Sequence, residues 1–397
     1  MARGGVLAWG VGAVATGAGA ALGVTADRLW RSRSTAVRLG VDDDFAETAD
    51  HELAVITEDG VPLHVEIDEP RADPPANGRT PTVVLVHGYT LNLASWVFQR
   101  RALREAGYRV VLFDLRGHGR SEEGEPTSYN IEQLARDLAA VLEQAVPEGP
   151  VVLVGHSMGG MTLMSFAAQF PDVLRERVIG AALVATSSGG LAEVNWGLGS
   201  PIGSLVHRMG PVAVAQLAGR EALLAAALKA GRDVESLVVH HFSFGSHVPM
   251  SVVRHTGKMV FSTKMSVVSA FLSELMKHDQ LMSLKAFDGI ETLVLNGTAD
   301  KLTPAEHSDA IVSAIHGAEH VVVDDAGHML MLEHPDLVNE QLIALIARAR
   351  RAVERPRSGR RVRKTVTDMA ARRRVRGAGT GLVWSLDGRY VFYTRRD

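Results

Sequence analysis

The chain has 397 residues, 46% hydrophobic and 22% charged, which suits a core-forming globular protein with length for one large domain and an insertion. It contains no cysteine, so a disulfide framework, a thiol nucleophile and a cysteine-based metal site are excluded. Net charge is only −3, but the charges are unevenly placed.

Residues 4–26 carry no charge over 23 positions, long enough for a membrane helix at about 1.5 Å per residue. Glycine and alanine make this span weak, and Gly19 and Gly23 would suit a helix dimer. Arg28, Arg31, Arg33 and Arg38 follow it against Arg3 before it, an asymmetry that puts the remainder on the cytoplasmic side. The competing reading is a cleaved signal peptide ending at Val24-Thr25-Ala26, which would export the protein. On either reading residues 1–34 stand apart as a membrane anchor or signal-like segment.

His51 to Thr57 and Leu63 to Ile67 flank Glu58-Asp59-Gly60, which predicts an antiparallel edge hairpin. Strands near 82–87, 109–114, 150–155, 178–186, 291–297 and 320–325 alternate with helical segments. That alternation predicts an α/β fold with a doubly wound, mostly parallel sheet. Between Ser187 and Lys285 it stops, and a mostly helical insertion (187–285) separates two core parts, 35–186 and 286–350. The insertion opens on glycine-rich Ser187 to Gly203, suited to a hinge, and continues through the alanine- and leucine-rich helix Val212 to Ala230. Six methionines fall in it (Met209, Met250, Met259, Met265, Met276, Met282), and Met158, Met161, Met164, Met329 and Met331 fall in motifs discussed below. They suit either a pocket for variable apolar chains or plain core filling. His240, His241, His247 and His255 also lie in the insertion; without a carboxylate at ligand spacing they read as surface or packing residues rather than metal ligands.

From Arg348 to Arg376 there are 13 Arg and Lys against Glu354 and Asp368, so the 351–397 region is a basic tail. Its expected partner is an anionic membrane surface, with a solvated tail as the plainer alternative; no nucleic-acid motif accompanies it. Leu382 to Thr394 alternates apolar residues around Asp387-Gly388, a hairpin signal.

The most informative stretch is Val151 to Gly160, VVLVGHSMGG, where a β-branched run breaks into GxSxG and then a helical segment. That order describes a nucleophile elbow with Ser157 at its apex, and Gly155, Gly159 and Gly160 are small enough to let strand and helix backbones approach. Upstream, Thr82 to Val86 runs into His87-Gly88-Tyr89-Thr90, a loop able to supply backbone N–H donors; the candidates are the amides of Tyr89 and of Met158. Two further strand ends carry Asp300 and His328. Nucleophile, acid and base thus occur in the order Ser157, Asp300, His328, each just past the carboxyl end of a predicted strand. His334 is the rival base, but it precedes Pro335 at a helix start.

With HGYT, FDLRGHGRS (Phe113 to Ser121), GHSMGG, NGTADKLTP (Asn296 to Pro304) and DAGHMLMLEHP (Asp325 to Pro335), the chain resembles the α/β-hydrolase superfamily, specifically its capped serine esterases and lipases, over about residues 50–350. GHSMGG is similar to the elbow of monoacylglycerol lipases, whereas HGYTLNLASW (His87 to Trp96) is similar to the oxyanion loop of small bacterial arylesterases and cofactor-free perhydrolases. Relatives with an aspartate nucleophile are disfavoured by the serine at the elbow. The resemblance implies that 187–285 is the cap, that Asp114, Arg116 and His118 support the site architecturally, and that no metal or cofactor is needed. It implies a carboxylic-ester hydrolase acting on a small-molecule acyl ester or lipid with a medium or long apolar acyl group. An acyltransferase, a perhydrolase or haloperoxidase-like enzyme, a C–C hydrolase and a non-catalytic ligand-binding protein remain alternatives. Oligomeric state is not legible in the sequence.

Overall fold

The computed structural model describes residues 45–73, 79–194, 232–354, 363–367, 380–384 and 390–394. The expected anchor or signal segment, the Val212 to Ala230 helix, Met209 and most of the glycine-rich hinge lie outside the described residues. Buried β-branched runs form the strands: β1 (His51–Ile56), β2 (Pro62–Asp68), β3 (Thr82–Val86), β4 (Val110–Phe113), β5 (Val151–His156), β6 (Val178–Val184), β7 (Glu291–Gly297) and β8 (Glu319–Val323). They stand in the order β1-β2-β4-β3-β5-β6-β7-β8. As expected, β1 and β2 form an antiparallel edge; β2 also runs antiparallel to β4, and every pairing from β4 onward is parallel.

Strand periodicity divides the core in two. Val84, Val86, Val151 and Leu153 face one apolar layer, while Val83, Leu85, Val152 and Val154 face the other. Helices α2 (Ile131–Ala145) and α3 (Met158–Gln169) cover the first layer, and α1 (Val97–Glu105) covers the second. Each such buried valine or leucine stabilises the fold by about 1.5–3 kcal/mol relative to an exposed one. The short α4 (Pro171–Arg177) leads into β6. On α2, Asn130 caps the first turn by accepting the Gln133 amide at 2.8 Å. On α1, Arg100 grips Asp68 at the end of β2 through two bonds of 2.5 and 2.9 Å, which ties the sheet edge to the helix layer.

Between β6 and β7 the described residues contribute helices α5 (Arg232–Ser243), α6 (Met250–Ser262) and α7 (Met265–Leu275), in keeping with a helical insertion. Ser188 O accepts the Gln280 amide at 2.7 Å and Gly189 bridges Asp279, so the two ends of the insertion are joined where they leave the sheet. After β7 come α8 (Ala305–Ala314), then β8, α9 (Leu330–Glu333) and α10 (Pro335–Glu354).

The carboxyl-terminal region departs from a plain tail. The boundary expected after residue 350 falls inside α10, and β9 (Arg363–Thr367), in the middle of the basic run, pairs parallel to β8 as a ninth strand. The expected hairpin forms its own two-stranded sheet from β10 (Thr380–Trp384) and β11 (Tyr390–Thr394).

Candidate active site

Ser157 sits between β5 and α3 with φ +52° and ψ −117°. A non-glycine residue at positive φ costs about 1–3 kcal/mol and persists only where its surroundings fix it. Here they do. The Ser157 amide donates to Val184 O at 2.9 Å, and Ser157 O accepts the Gly160 amide at 2.9 Å and Thr186 Oγ1 at 2.7 Å. A Cβ on Gly155 would lie 2.5 Å from Gly159 O, and one on Gly159 would lie 2.3 Å from Val86 O, so the two glycines are dictated by backbone contact. Thr186 fills the same role against Gly160, at 2.6 Å.

The His87 to Thr90 loop lies beside the elbow. A Cβ on Gly88 would meet Ser157 Cβ at 3.1 Å and His156 Nδ1 at 2.7 Å. Among the described residues neither the Tyr89 nor the Met158 amide N–H donates to a protein acceptor. Two buried histidines hold this loop. His87 Nδ1 donates to Gly88 O at 2.8 Å and its Nε2 accepts the Leu115 amide at 2.9 Å, which fixes the Nδ1–H tautomer. His118 repeats the pattern, bonding Arg116 O at 3.0 Å and accepting the Thr90 amide at 3.3 Å. Asp114 accepts the Leu93 and Arg120 amides, both at 2.8 Å, and Arg116 is buried in bonds to Asp59 and Asp137. These bonds hold the surrounding loops together. Tyr89 reaches the insertion, donating its hydroxyl to Val268 O of α7 at 2.5 Å.

Asp300 and His328 are brought together from strand ends 28 residues apart: His328 Nδ1 donates to Asp300 Oδ2 at 2.9 Å. Oδ1 accepts the Leu302 and Thr303 amides at 2.8 and 3.0 Å, and Thr303 Oγ1 donates to Oδ2 at 2.8 Å. Burial works to raise the Asp300 carboxyl, but the His328 ring, its hydrogen bond and the Thr303 bonds outweigh it and hold the group below the usual carboxylate range. The His328 ring lies 4.7 Å from that of His156, the residue before Ser157, and His156 Nε2 donates to His328 O at 3.0 Å. His328 is thereby tied to the elbow. No direct hydrogen bond joins Ser157 Oγ to His328 among the described residues; such bonds often tighten only around substrate. His334 lies elsewhere, with Nε2 3.8 Å from Glu333.

Sequence reasoning missed three contributors: His156, Thr303 and Glu333. Glu333 is buried, and it accepts the Gly327 amide beside His328 at 2.7 Å together with the amides of Gly245 and Ser246 from the insertion. Only the "LEHP" end of the motif hinted at it. The methionines flanking Ser157 and His328 resolve toward core filling, since Met158, Met161, Met164, Met329 and Met331 are at most 2% exposed and pack in the two apolar layers, whereas Met282 of the insertion is 75% exposed. Of the four insertion histidines, His255 lies apart, stacked on Phe45 at 4.1 Å. The one cluster of metal-type ligands among the described residues, Glu52, His64 and Glu66, is already neutralised by Arg100 and Arg120. A cavity of about 670 Å³ between Pro150, Ile179 and Arg350 lies at the amino-terminal end of the strands, opposite Ser157.

Burial of histidine near the site makes the fold acid-sensitive. An unfolded histidine takes its proton near pH 6.5; burial lowers His118 to about 4, His156 to about 3 and His87 well below the ordinary value. Between these limits the unfolded chain binds more protons, so stability falls with pH by about 1.4 kcal/mol per unit for each histidine. Asp114, raised by burial to about 6, works in the opposite direction, as do the raised Asp137 and Glu333. His240 and His278, each lowered by burial to about 4, add to the histidine side, and five such histidines outweigh three carboxyls. The melting temperature is therefore expected to drop steadily from pH 6.5 to about 4, and one that stays constant over that range would contradict the assignment.

Residues 81–335 match the profile of the alpha/beta hydrolase fold family. The chain belongs to this family. It is 26% identical over 268 residues to the mouse "sn-1-specific diacylglycerol lipase ABHD11", covering 67% of this chain and 81% of that protein. It is 28% identical over 263 residues to the "Putative non-heme chloroperoxidase" of Synechocystis, covering 66% and 89% respectively. Among solved structures, an esterase from Exiguobacterium antarcticum superposes with a TM-score of 0.58 at 20% identity, covering 75% of this chain and all of that one, a likeness of fold alone. Family and relatives together support an enzyme with hydrolase activity, of the esterase and lipase type.

Proposed function

We propose that the protein is a serine hydrolase of carboxylic esters, with Ser157 as nucleophile, His328 as general base and acid, and Asp300 orienting the imidazole. The observation that carries this reading is the 2.9 Å bond between His328 Nδ1 and Asp300 Oδ2 beside a serine held at positive φ. It leaves Nε2 unprotonated to take the Ser157 proton as Oγ bonds to the ester carbonyl carbon. The Tyr89 and Met158 amides stabilise the oxyanion. His328 then gives that proton to the departing alcohol, and water repeats the sequence on the acyl-enzyme to release the acid.

The 187–285 insertion acts as the cap. Phe271 of α7 lies 5.6 Å from the His118 ring and 5.3 Å from Tyr129, and Val267 packs against Gly117, so an apolar surface leans on the loops around Ser157. The likeness to a diacylglycerol lipase favours a substrate with a medium or long apolar acyl group. Hydrolysis of p-nitrophenyl esters from acetyl to palmitoyl tests it: kcat/KM is expected to rise from acetyl towards the medium chains. A maximum at acetyl would sink the acyl preference. Turnover only with hydrogen peroxide present would favour perhydrolysis, the reading that the chloroperoxidase likeness supports.

Location rests on residues 4–26 and on the basic region. No helix among the described residues is long and apolar enough to cross a membrane, and residues 4–26 lie outside them. We propose association with the cytoplasmic face through that segment, which keeps the protein in the membrane fraction through a high-salt wash because apolar burial is not screened. A mature chain starting at Asp27 would instead mean export after cleavage.

A further inference from the structure

We propose that Thr303 is a positioning residue of the catalytic triad, sharing Asp300 Oδ2 with His328 and so fixing the orientation and tautomer of the imidazole. This rests on the reading of Ser157, His328 and Asp300 as one catalytic unit.

A carboxylate offers about four lone-pair sites. In Asp300 all four are occupied: Oδ1 accepts two backbone amides, Oδ2 accepts His328 Nδ1 and Thr303 Oγ1, and the side chain has no exposure to solvent. Thr303 is the only side chain besides His328 in that set. Its hydroxyl has one proton, which goes to Oδ2, so the Oγ1 lone pairs are left facing His328 Nδ1 at 3.4 Å. Nδ1–H thus meets two acceptors, whereas the opposite tautomer would set its Nδ1 lone pair against Oδ2 and be met by Thr303 only if the hydroxyl proton turned away from that oxygen. That tautomer would also place a proton on Nε2, where the base must be free.

The hydroxyl is itself held in place. Thr303 is 2% exposed, its χ1 is stiffened by β-branching, and the following Pro304 keeps its backbone out of the helical region. Removing the hydroxyl takes away the second constraint on Oδ2, so the bond between Asp300 and His328 loosens and the imidazole loses its alignment.

The test is steady-state ester hydrolysis by Thr303→Val and Thr303→Ser, with active sites titrated by a fluorophosphonate. For T303V, kcat per active site is expected to fall about tenfold, the rate equivalent of one hydrogen bond, while KM stays nearly unchanged. T303S, which restores the donor, is expected to restore kcat. An unchanged kcat per active site in T303V, or a T303S enzyme no better than T303V, would overturn the proposal. If T303V fails to fold, T303A gives the same comparison with less bulk. Ser157→Ala separates the two levels: normal turnover in that variant removes the triad reading and Thr303 with it, whereas an inactive S157A beside an unchanged T303V kcat removes Thr303 alone.

Discussion

Replacing Ser157 by alanine is expected to lower turnover by about five to six orders of magnitude while the fold survives. Loss of rate follows from the proposed covalent route, in which His328 would have nothing to deprotonate and no acyl-enzyme could form. Survival of the fold follows from the bonding pattern. The elbow is held through Ser157 backbone atoms, which bond Val184, Gly160 and Thr186, and among the described residues Oγ makes no hydrogen bond. The melting temperature should therefore stay within a few degrees, the effect of a surface-type change of about 0.5 kcal/mol. Labelling by a fluorophosphonate should vanish with the activity. Persistent labelling, or near-normal hydrolysis of any ester by the variant, would take Ser157 out of the mechanism.

Those backbone bonds also explain why the elbow was legible in sequence. GHSMGG combines a buried strand, a strained turn and glycines that steric contact demands, and all three are local. The six inner strands were legible for a related reason: strands buried on both faces must be continuous apolar runs, and Val110 to Phe113 or Val151 to Val154 can be little else. Strand β9 escaped notice because Arg363-Lys364-Thr365-Val366-Thr367 has no such run; its place depends on an open β8 edge that only the assembled sheet provides. Thr303 and Glu333 escaped for the complementary reason. Each acts across a gap in sequence, Thr303 on a pair formed by residues 300 and 328, Glu333 between residues 245–246 and 327. Chemistry that depends on such closures has no local signature. The methionines around Ser157 and His328 left pocket and core filling open in sequence, because only packing tells the two apart, and the geometry finds core.

His328 and Asp300, the proposed base and acid, should differ in how much activity their loss leaves. His328→Ala is expected to be about as damaging as the serine change, because the proton acceptor itself is gone. Asp300→Asn keeps more, with turnover down about ten-thousandfold. In that variant the asparagine carbonyl can still accept the Leu302 and Thr303 amides, so the loop is preserved. Its amide group then faces His328 Nδ1 and Thr303 Oγ1, where it must donate. The imidazole is driven to the tautomer with Nδ1 bare and Nε2 protonated, and a protonated Nε2 cannot take the proton of Ser157. Thr303 adapts by rotating its hydroxyl to accept, so the stability cost should be small beside the kinetic one. Steady-state kinetics on S157A, H328A and D300N with one ester, set beside His334→Ala, decide the matter. Activity abolished by H334A and retained by H328A would show that the bond to Asp300 is structural and that the base has been misassigned.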